Sequence, residues 1–257
     1  METEMSVIVP TRNEAECVEK TLQKIAAECE KAWIGYEILV MDDNSKDGTK
    51  EIAGKAAQKN PRIRLVNRKE PYGFGYSIMD GIRMAKGKYS VIMMADLSDD
   101  PALLPKIKEM MDGSGKPGTG NWKPGCDAVV CSRFMKGSEI KRYPFLKMVS
   151  NRLFNWTVGI AFNLGTGDAS NAYKCFRTEI VRKLEGETGD GKPIESRGFQ
   201  VSAEILIRMK LKGARICEIP ASWEDRSAGE AKFKLGNTFI SYFVLFLKMF
   251  RLAYLGG

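Results

Sequence analysis

The 257-residue sequence contains no histidine. A Ser-His-Asp triad and a Cys-His pair are therefore excluded, and a zinc site would have to be built without imidazole. The six cysteines (Cys17, Cys29, Cys126, Cys131, Cys175 and Cys217) offer no CxxC spacing and lie mostly inside apolar segments. They read as reduced, small core residues of a cytoplasmic protein. No apolar run reaches the roughly 18–20 residues that cross a bilayer. The opening METEMSVIVP is acidic and passes at once into a strand, so no secretory signal is expected. No Arg/Lys block or aromatic-interleaved basic run speaks for nucleic acid. No glycine motif follows the first apolar run, where the chain reads Pro10-Thr-Arg-Asn-Glu14, so a dinucleotide cofactor is poorly supported. The fragment GSGK inside Asp112–Gly125 fails as a phosphate loop because Pro117 stands at the Ser/Thr position and no strand precedes it.

What is present is a basic, well-covered core. Hydrophobic residues make up 44%, and 40 Lys+Arg against 32 Asp+Glu give +8, which favours anionic partners. Short apolar runs at Met5–Val9, Tyr36–Met41, Ile63–Val66 and Tyr89–Met94 alternate with helical spacing over Asn13–Lys31, Asp47–Lys59 and Gly75–Lys86. That alternation predicts an α/β fold, a mainly parallel sheet with helices on both faces. Further on, Ala128–Cys131 and Arg215–Ile219 read as strands and Phe199–Lys210 as a helix. Without repeats or a linker, residues 1–234 form one domain, and residues 235–257 form a C-terminal apolar helix.

Two apolar stretches stand out. Leu153–Leu164 follows a basic segment and fits either a core helix or a membrane surface. Leu235–Leu247 carries no charge over thirteen residues, then meets Lys248 and Arg251. It is expected to lie amphipathically in a membrane interface, peripheral on the cytoplasmic face.

The chemistry gathers where apolar runs end. Asp42-Asp43 closes the second run, and Asp96, Asp99 and Asp100 follow the fourth, VIMMADLSDD. In parallel sheets ligands collect at such carboxyl ends. Each acid also has a plain reading: Asp42/Asp43 with Asn44 as an Asx turn, Asp99/Asp100 before Pro101 as a helix cap.

In order along the chain, VIVPTRNEAECV, YEILVMDDNSKDGT, GKYSVIMMADLSDDP, VVCSRF, GFQVSAEILIRM and WEDRSAGEAKFKLG resemble the segments of family 2 glycosyltransferases. Within that family they look most like dolichol-phosphate mannose synthases and related polyprenyl-phosphate glycosyltransferases. The resemblance runs from Met5 to about Arg251, with the DDxSxDGT and DRxxGExK segments its more specific parts. It implies a GT-A (Rossmann-like) fold, a nucleotide-sugar donor such as GDP-mannose or a UDP-hexose, and inversion at the anomeric carbon. By position it implies a donor pocket of Pro10, Arg12, Glu14, Met41, Asp43 and Ala95, and a divalent metal (Mg²⁺ or Mn²⁺) at Asp96 and Ser98. Asp96 would also serve catalysis, with Arg133, Lys147, Arg226 and Lys232 handling donor and acceptor phosphates. The implied acceptor is a polyprenyl phosphate at a membrane surface, with a membrane-anchoring partner or oligomer possible.

That acceptor makes sense of the missing histidine. A hydroxyl needs a base to remove its proton, whereas a phosphate is already an anion and needs cations to gather it. The departure is Met94, where the family carries the first aspartate of its DxD motif; a thioether is a poor ligand for Mg²⁺ or Mn²⁺. The ion could be held by Asp96, Ser98, water and the donor diphosphate, which is the working expectation. Asp99 could turn inward as a replacement, or basic side chains could carry the diphosphate charge without metal. Two other functions compete: transfer to a hydroxyl acceptor, with Glu224 or Asp225 as base, and a weakly active nucleotide-sugar-binding scaffold.

Overall fold

A computed structural model describes residues 2–114, 123–186, 194–224 and 235–255. Its strands are β1 (Met5–Thr11), β2 (Tyr36–Asp42), β3 (Ile63–Asn67), β4 (Tyr89–Ile92), β5 (Gly113–Ser114), β6 (Lys123–Pro124), β7 (Ala128–Ser132), β8 (Ile140–Lys141), β9 (Lys174–Arg177), β10 (Ile216–Pro220) and β11 (Trp223–Glu224). The helices are α1 (Val18–Lys31), α2 (Thr49–Lys59), α3 (Phe74–Met84), α4 (Leu104–Asp112), α5 (Phe145–Ala161), α6 (Thr178–Gly186), α7 (Val201–Leu211) and α8 (Leu235–Tyr254). Seven strands form one sheet in the order β10-β7-β9-β4-β1-β2-β3. All neighbours in it run parallel except β9, which is antiparallel to both β4 and β7. The α/β expectation is met.

The unbroken apolar runs follow from burial on both faces. In β1, Val7 and Val9 point into one core with Val18, Leu22 and Ile25 of α1, while Ile8 points into the other. In β2, Ile38 and Val40 share the first core, and Leu39 and Met41 the second, beneath α3, α7 and α8. Predicted boundaries shift where side chains outbid the helix for backbone amides. The expected Asn13–Lys31 helix begins only at Val18, because the amides of Asn13, Glu14 and Ala15 donate to Ser45 Oγ (3.0 Å), Thr49 Oγ1 (2.8 Å) and Asp47 Oδ2 (3.0 Å). Asp47 also accepts from the Thr49 amide at 3.1 Å, and α2 starts there rather than at Asp47.

The Gly73-Phe-Gly75 pair is a tight entry to α3. Gly73 has φ of 147°, which favours glycine, and a Cβ on Gly75 would meet the Ser196 carbonyl oxygen at 2.0 Å. Cysteine chemistry departs from expectation: Cys126 and Cys217 form a disulfide, while Cys29, Cys131 and Cys175 stay as buried thiols. The bridge arises because β7 and β10 are neighbours, with Cys217 opposite Val129, three residues from Cys126. The compartment drawn from six reduced thiols loses that support.

The C-terminal helix is docked on the domain rather than set apart. Tyr242, Leu245 and Met249 of α8 join the second core, and Phe154 of α5 packs edge-on against Tyr242 at 4.6 Å. The outer face leaves Ile240, Phe243, Val244 and Leu247 exposed, and α5 similarly exposes Phe145, Leu146, Leu153, Trp156 and Ile160. Among the described residues no helix is long and apolar enough to cross a membrane.

Candidate active site

The carboxyl ends of β1, β2 and β4 bring the first predicted residues together. Pro10 and Met41 are buried, and Met41 is packed wholly in the second core, so its side chain supports the edge from below. Arg12 is exposed and Glu14 half-buried on the β1–α1 loop. Asp42 accepts from the Ser45 amide at 3.0 Å and from its hydroxyl, the Asx-type turn its sequence allows.

Asp43 is 5% exposed and its carboxylate is already engaged. One oxygen accepts from Arg68 and from Ser77 Oγ (2.9 Å), the other from the Gly73 amide (2.8 Å). Arg68 bonds onward to Asp80 through Nε (2.8 Å). Burial disfavours the Arg68 charge, but Asp43 and Asp80 outweigh that and hold the guanidinium even more firmly protonated. Asp43 thus fixes the entry to α3.

Beyond β4 the chain turns sharply. Ala95 is buried, its carbonyl oxygen accepting from Thr21 Oγ1 at 2.8 Å. Asp96 Oδ1 accepts from the Ser98 amide (3.1 Å) and hydroxyl (2.6 Å), so the two predicted metal ligands touch. Asp100 caps the short 3-10 turn Pro101–Leu103 through the Ala102 amide at 3.0 Å. Asp99 does not cap; it turns inward and accepts from the Met94 amide at 2.8 Å. Burial pushes its carboxyl up to about 7, the Met94 N–H opposing and the Asp96 charge adding to the rise. Ser98, Asp99 and Asp100 face Glu139, Lys141, Trp223 and Glu224 across a cleft of about 210 Å³.

These residues fit a divalent ion of a particular kind. Among the described residues no three acidic or cysteine side chains converge as a metal cage. Asp96 and Ser98 supply two hard oxygens side by side, which suits an ion that keeps water and phosphate oxygens as its other ligands.

The predicted basic residues part company. Arg133 is 7% exposed and committed to Asp168: Nε donates to Oδ2 (2.8 Å) and Nη2 to Oδ1 (2.8 Å), with Nη2 also on Ser170 Oγ (2.9 Å) and Nη1 on Tyr143 (3.2 Å). Burial alone would raise the Asp168 carboxyl, but Arg133 outweighs it and holds the group below the usual carboxylate range. Bound so, Arg133 organises the site floor rather than offering itself to a phosphate. Lys147 is half-buried, its Nζ 5.1 Å from the Tyr143 ring centre and 5.3 Å from that of Trp223. Arg226, Lys232 and Asp225 lie outside the described residues. Glu224 is exposed and pairs with Arg142 at 3.3 Å.

The family model for "Glycosyl transferase family 2" matches residues 6–185, which takes in every strand end described above except β10 and β11. The chain belongs to glycosyl transferase family 2. Among its relatives, the dolichol-phosphate mannosyltransferase of Pyrococcus furiosus is 28% identical over 240 residues, 93% of this chain and 61% of the relative. The chain thus spans less than two thirds of that relative's length. The undecaprenyl-phosphate mannosyltransferase of Micrococcus luteus is 27% identical over 236 residues, 89% of this chain and 87% of the relative. Two solved structures share the fold. Glucosyl-3-phosphoglycerate synthase from Mycobacterium tuberculosis, in complex with Mn²⁺, UDP and glucosyl-3-phosphoglycerate, superposes with a TM-score of 0.67 at 16% identity, covering 96% of this chain and 80% of that one. Mannosyltransferase PcManGT from Pyrobaculum calidifontis, in complex with GDP-Man and Mn²⁺, gives 0.61 at 22% identity, covering all of this chain and 66% of that one. The family 2 sheet is therefore of the GT-A type.

Several residues that organise this family 2 site escaped the sequence reading. Arg68 and Ser77 carry Asp43. Asp168, Ser170 and buried Asn155, whose Nδ2 lies 3.2 Å from Asp168 Oδ1, carry Arg133. Lys174 is fully buried and donates to the carbonyl oxygens of Ala169 (3.0 Å) and Asn171; burial pulls its amine down to about 7, with Asp168 opposing. The only available signal was the small, polar run Gly165-Thr-Gly-Asp-Ala-Ser-Asn171 between apolar segments.

Proposed function

We propose that this family 2 enzyme transfers a hexose, of mannose or glucose type, from a nucleotide-sugar donor to a polyprenyl phosphate with inversion. The observation that carries the acceptor is the apolar surface of α5. Leu146, Leu153, Trp156 and Ile160 are 58–72% exposed beside a groove of about 690 Å³ lined by Phe134, Arg152, Trp156, Gly159 and Thr166. A water-soluble acceptor gives no reason for such a face, while an isoprenoid tail and the membrane interface that holds it do. The outer face of α8, a helix packed against α5, is apolar as well. The names of the Pyrococcus and Micrococcus relatives support the same acceptor class. The protein would then sit peripherally on a membrane.

Asp96 and Ser98 would hold the divalent ion, whose chemistry when bound is to offset charge on the leaving diphosphate. Asp43, gripped by Arg68 and Ser77, sets the shape of the nucleotide end. Lys147, cradled by Tyr143 and Trp223, brings a cation to the acceptor side, with Arg226 and Lys232 of DRxxGExK as its companions in sequence. The acceptor phosphate needs no base.

The test is a panel of GDP- and UDP-hexoses against a short polyprenyl phosphate, with lipid product detected by mass spectrometry. One donor should give a glycosyl-phosphate lipid. Asp96→Ala should lower turnover about 10²–10³-fold, and excess EDTA should abolish it; full activity in EDTA overturns the metal. A second reading, transfer to a hydroxyl, is favoured by Glu224 lining the cleft that Ser98 lines. Product on saccharide acceptors only, lost in Glu224→Gln, would establish it.

A further inference from the structure

We infer that Asp99 is a positioning residue for the diphosphate end of the site, holding the turn that presents Asp96 and Ser98 by gripping the backbone of Met94. The inference rests on the donor and metal reading proposed above.

The last sheet bond of this strand runs from the Met93 amide to the Ile8 carbonyl oxygen at 3.0 Å. Met94 is the first residue past the ladder, and its amide needs another acceptor. Asp99 supplies it at 2.8 Å from five residues downstream, so a side chain takes over where the neighbouring strand stops. The turn so closed is not a relaxed one. Leu97 has φ of 64°, the left-handed region, in a residue with a branched side chain. That conformation is strained for a residue with a Cβ and persists only where surrounding bonds over-determine it.

Three other sets of bonds contribute. Thr21 holds the Ala95 carbonyl (2.8 Å), Ser98 folds onto Asp96 (2.6 Å), and Tyr173 Oη donates to the Asp100 carbonyl (2.9 Å). Each pins one point. Asp99 alone among them ties the start of the turn to its end, and so sets the direction in which Asp96 leaves the sheet.

Two competing roles fail on geometry. As a direct metal ligand, Asp99 would offer the cleft little, since it is 6% exposed and one of its oxygens is already spent on the Met94 amide. As a helix cap it is redundant, since Asp100 performs that task. The position without a side-chain carboxylate, Met94, is thus the position whose backbone a buried carboxylate clasps.

The test uses the full chain with Mn²⁺ and GDP or UDP, without any transfer reaction. Mn²⁺ binding is read by electron paramagnetic resonance, and the Met94 amide by hydrogen exchange. Asp99→Ala should weaken Mn²⁺–nucleotide binding about 10–100-fold, the usual cost of losing a group that orients a ligand, and should deprotect the Met94 amide. Asp99→Asn should keep both near wild type, because its amide oxygen accepts the same bond. If Asp99→Ala folds, loses protection at Met94 and still binds Mn²⁺ as wild type does, the inference is overturned. Equal losses in the Ala and Asn variants also overturn it. Wild-type protein that binds neither nucleotide with Mn²⁺ overturns it outright. Wild-type protein that binds them but glycosylates no polyprenyl phosphate overturns the proposed acceptor and leaves the role of Asp99 supported.

Discussion

Two acid runs end two neighbouring regions of the same sheet, and they meet opposite fates. At Asp42–Asp43 the carboxylates are clamped by Ser45, Ser77 and Arg68, and Arg68 is itself held by Asp80. At Asp96–Asp100 the bonds are of another kind: Asp96 accepts from the amide and hydroxyl of Ser98, and Asp99 from a backbone amide. A buried carboxylate is costly unless paired. The first run is therefore a finished structural joint. The second sets a carboxylate and a hydroxyl side by side at the sheet edge, the oxygen pair that the proposed divalent ion would use.

The comparison breaks most visibly if the cation is taken from the first run. Arg68→Ala leaves Asp43 buried beside Ser77 and the Gly73 amide with no positive charge, and should cost about 3–5 kcal/mol. Urea unfolding measures it; a loss below about 1 kcal/mol would show that the joint is not maintained by charge. Arg68→Ala with Asp43→Asn should recover part of the loss, because the uncompensated charge is then gone.

The next prediction pushes the second run toward the family pattern. Met94→Asp adds a third carboxylate at the residue whose amide Asp99 grips and two positions from Asp96, whose charge already raises the proton affinity of Asp99. The single variant should be destabilised by about 1–2 kcal/mol and gain little Mn²⁺ affinity. Met94→Asp with Asp99→Asn removes the crowding while keeping the Met94 amide bond, and should bind Mn²⁺ more tightly than wild type. Additive behaviour of the two changes, in stability and in Mn²⁺ affinity, would argue that positions 94 and 99 do not communicate.

The same contrast shows what could be read from the sequence. Strands β1, β2 and β4 were legible because burial on both faces writes itself as an apolar run. The strand β9 was not, because Lys174 begins it and Arg177 ends it, and nothing local says that Lys174 lies fully buried over two carbonyl oxygens. Asp96 and Ser98 were legible as a pair because they are two residues apart. The basic residues expected to handle phosphates looked equivalent in the sequence, yet Arg133 is consumed by Asp168, 35 positions away, and only the fold brings them together. Cys126 and Cys217 are likewise 91 residues apart, with a sheet neighbourhood as their only connection.

The smallest effect concerns the cation beneath the second run. Lys174 is buried against carbonyl oxygens rather than a carboxylate, and burial lowers its amine from 10.5 to about 7. Between about pH 7 and 10.5 the unfolded chain binds a proton there that the folded protein does not, so this group makes stability rise with pH across that window, by at most about 1.4 kcal/mol per pH unit. Asp99 works the other way and elsewhere. Its carboxyl is raised from 3.8 to about 7, so the folded protein keeps a proton the unfolded chain has lost, and stability falls from about pH 4 to 7. Urea stabilities at about pH 7.5 and 8.3, read as the difference between wild type and Lys174→Met, separate Lys174 from buried Cys29, Cys131 and Cys175, whose thiols burial raises. Wild type should gain about 1 kcal/mol over that range relative to Lys174→Met, whose curve lacks the slope. Parallel curves would mean that Lys174 stays charged when folded.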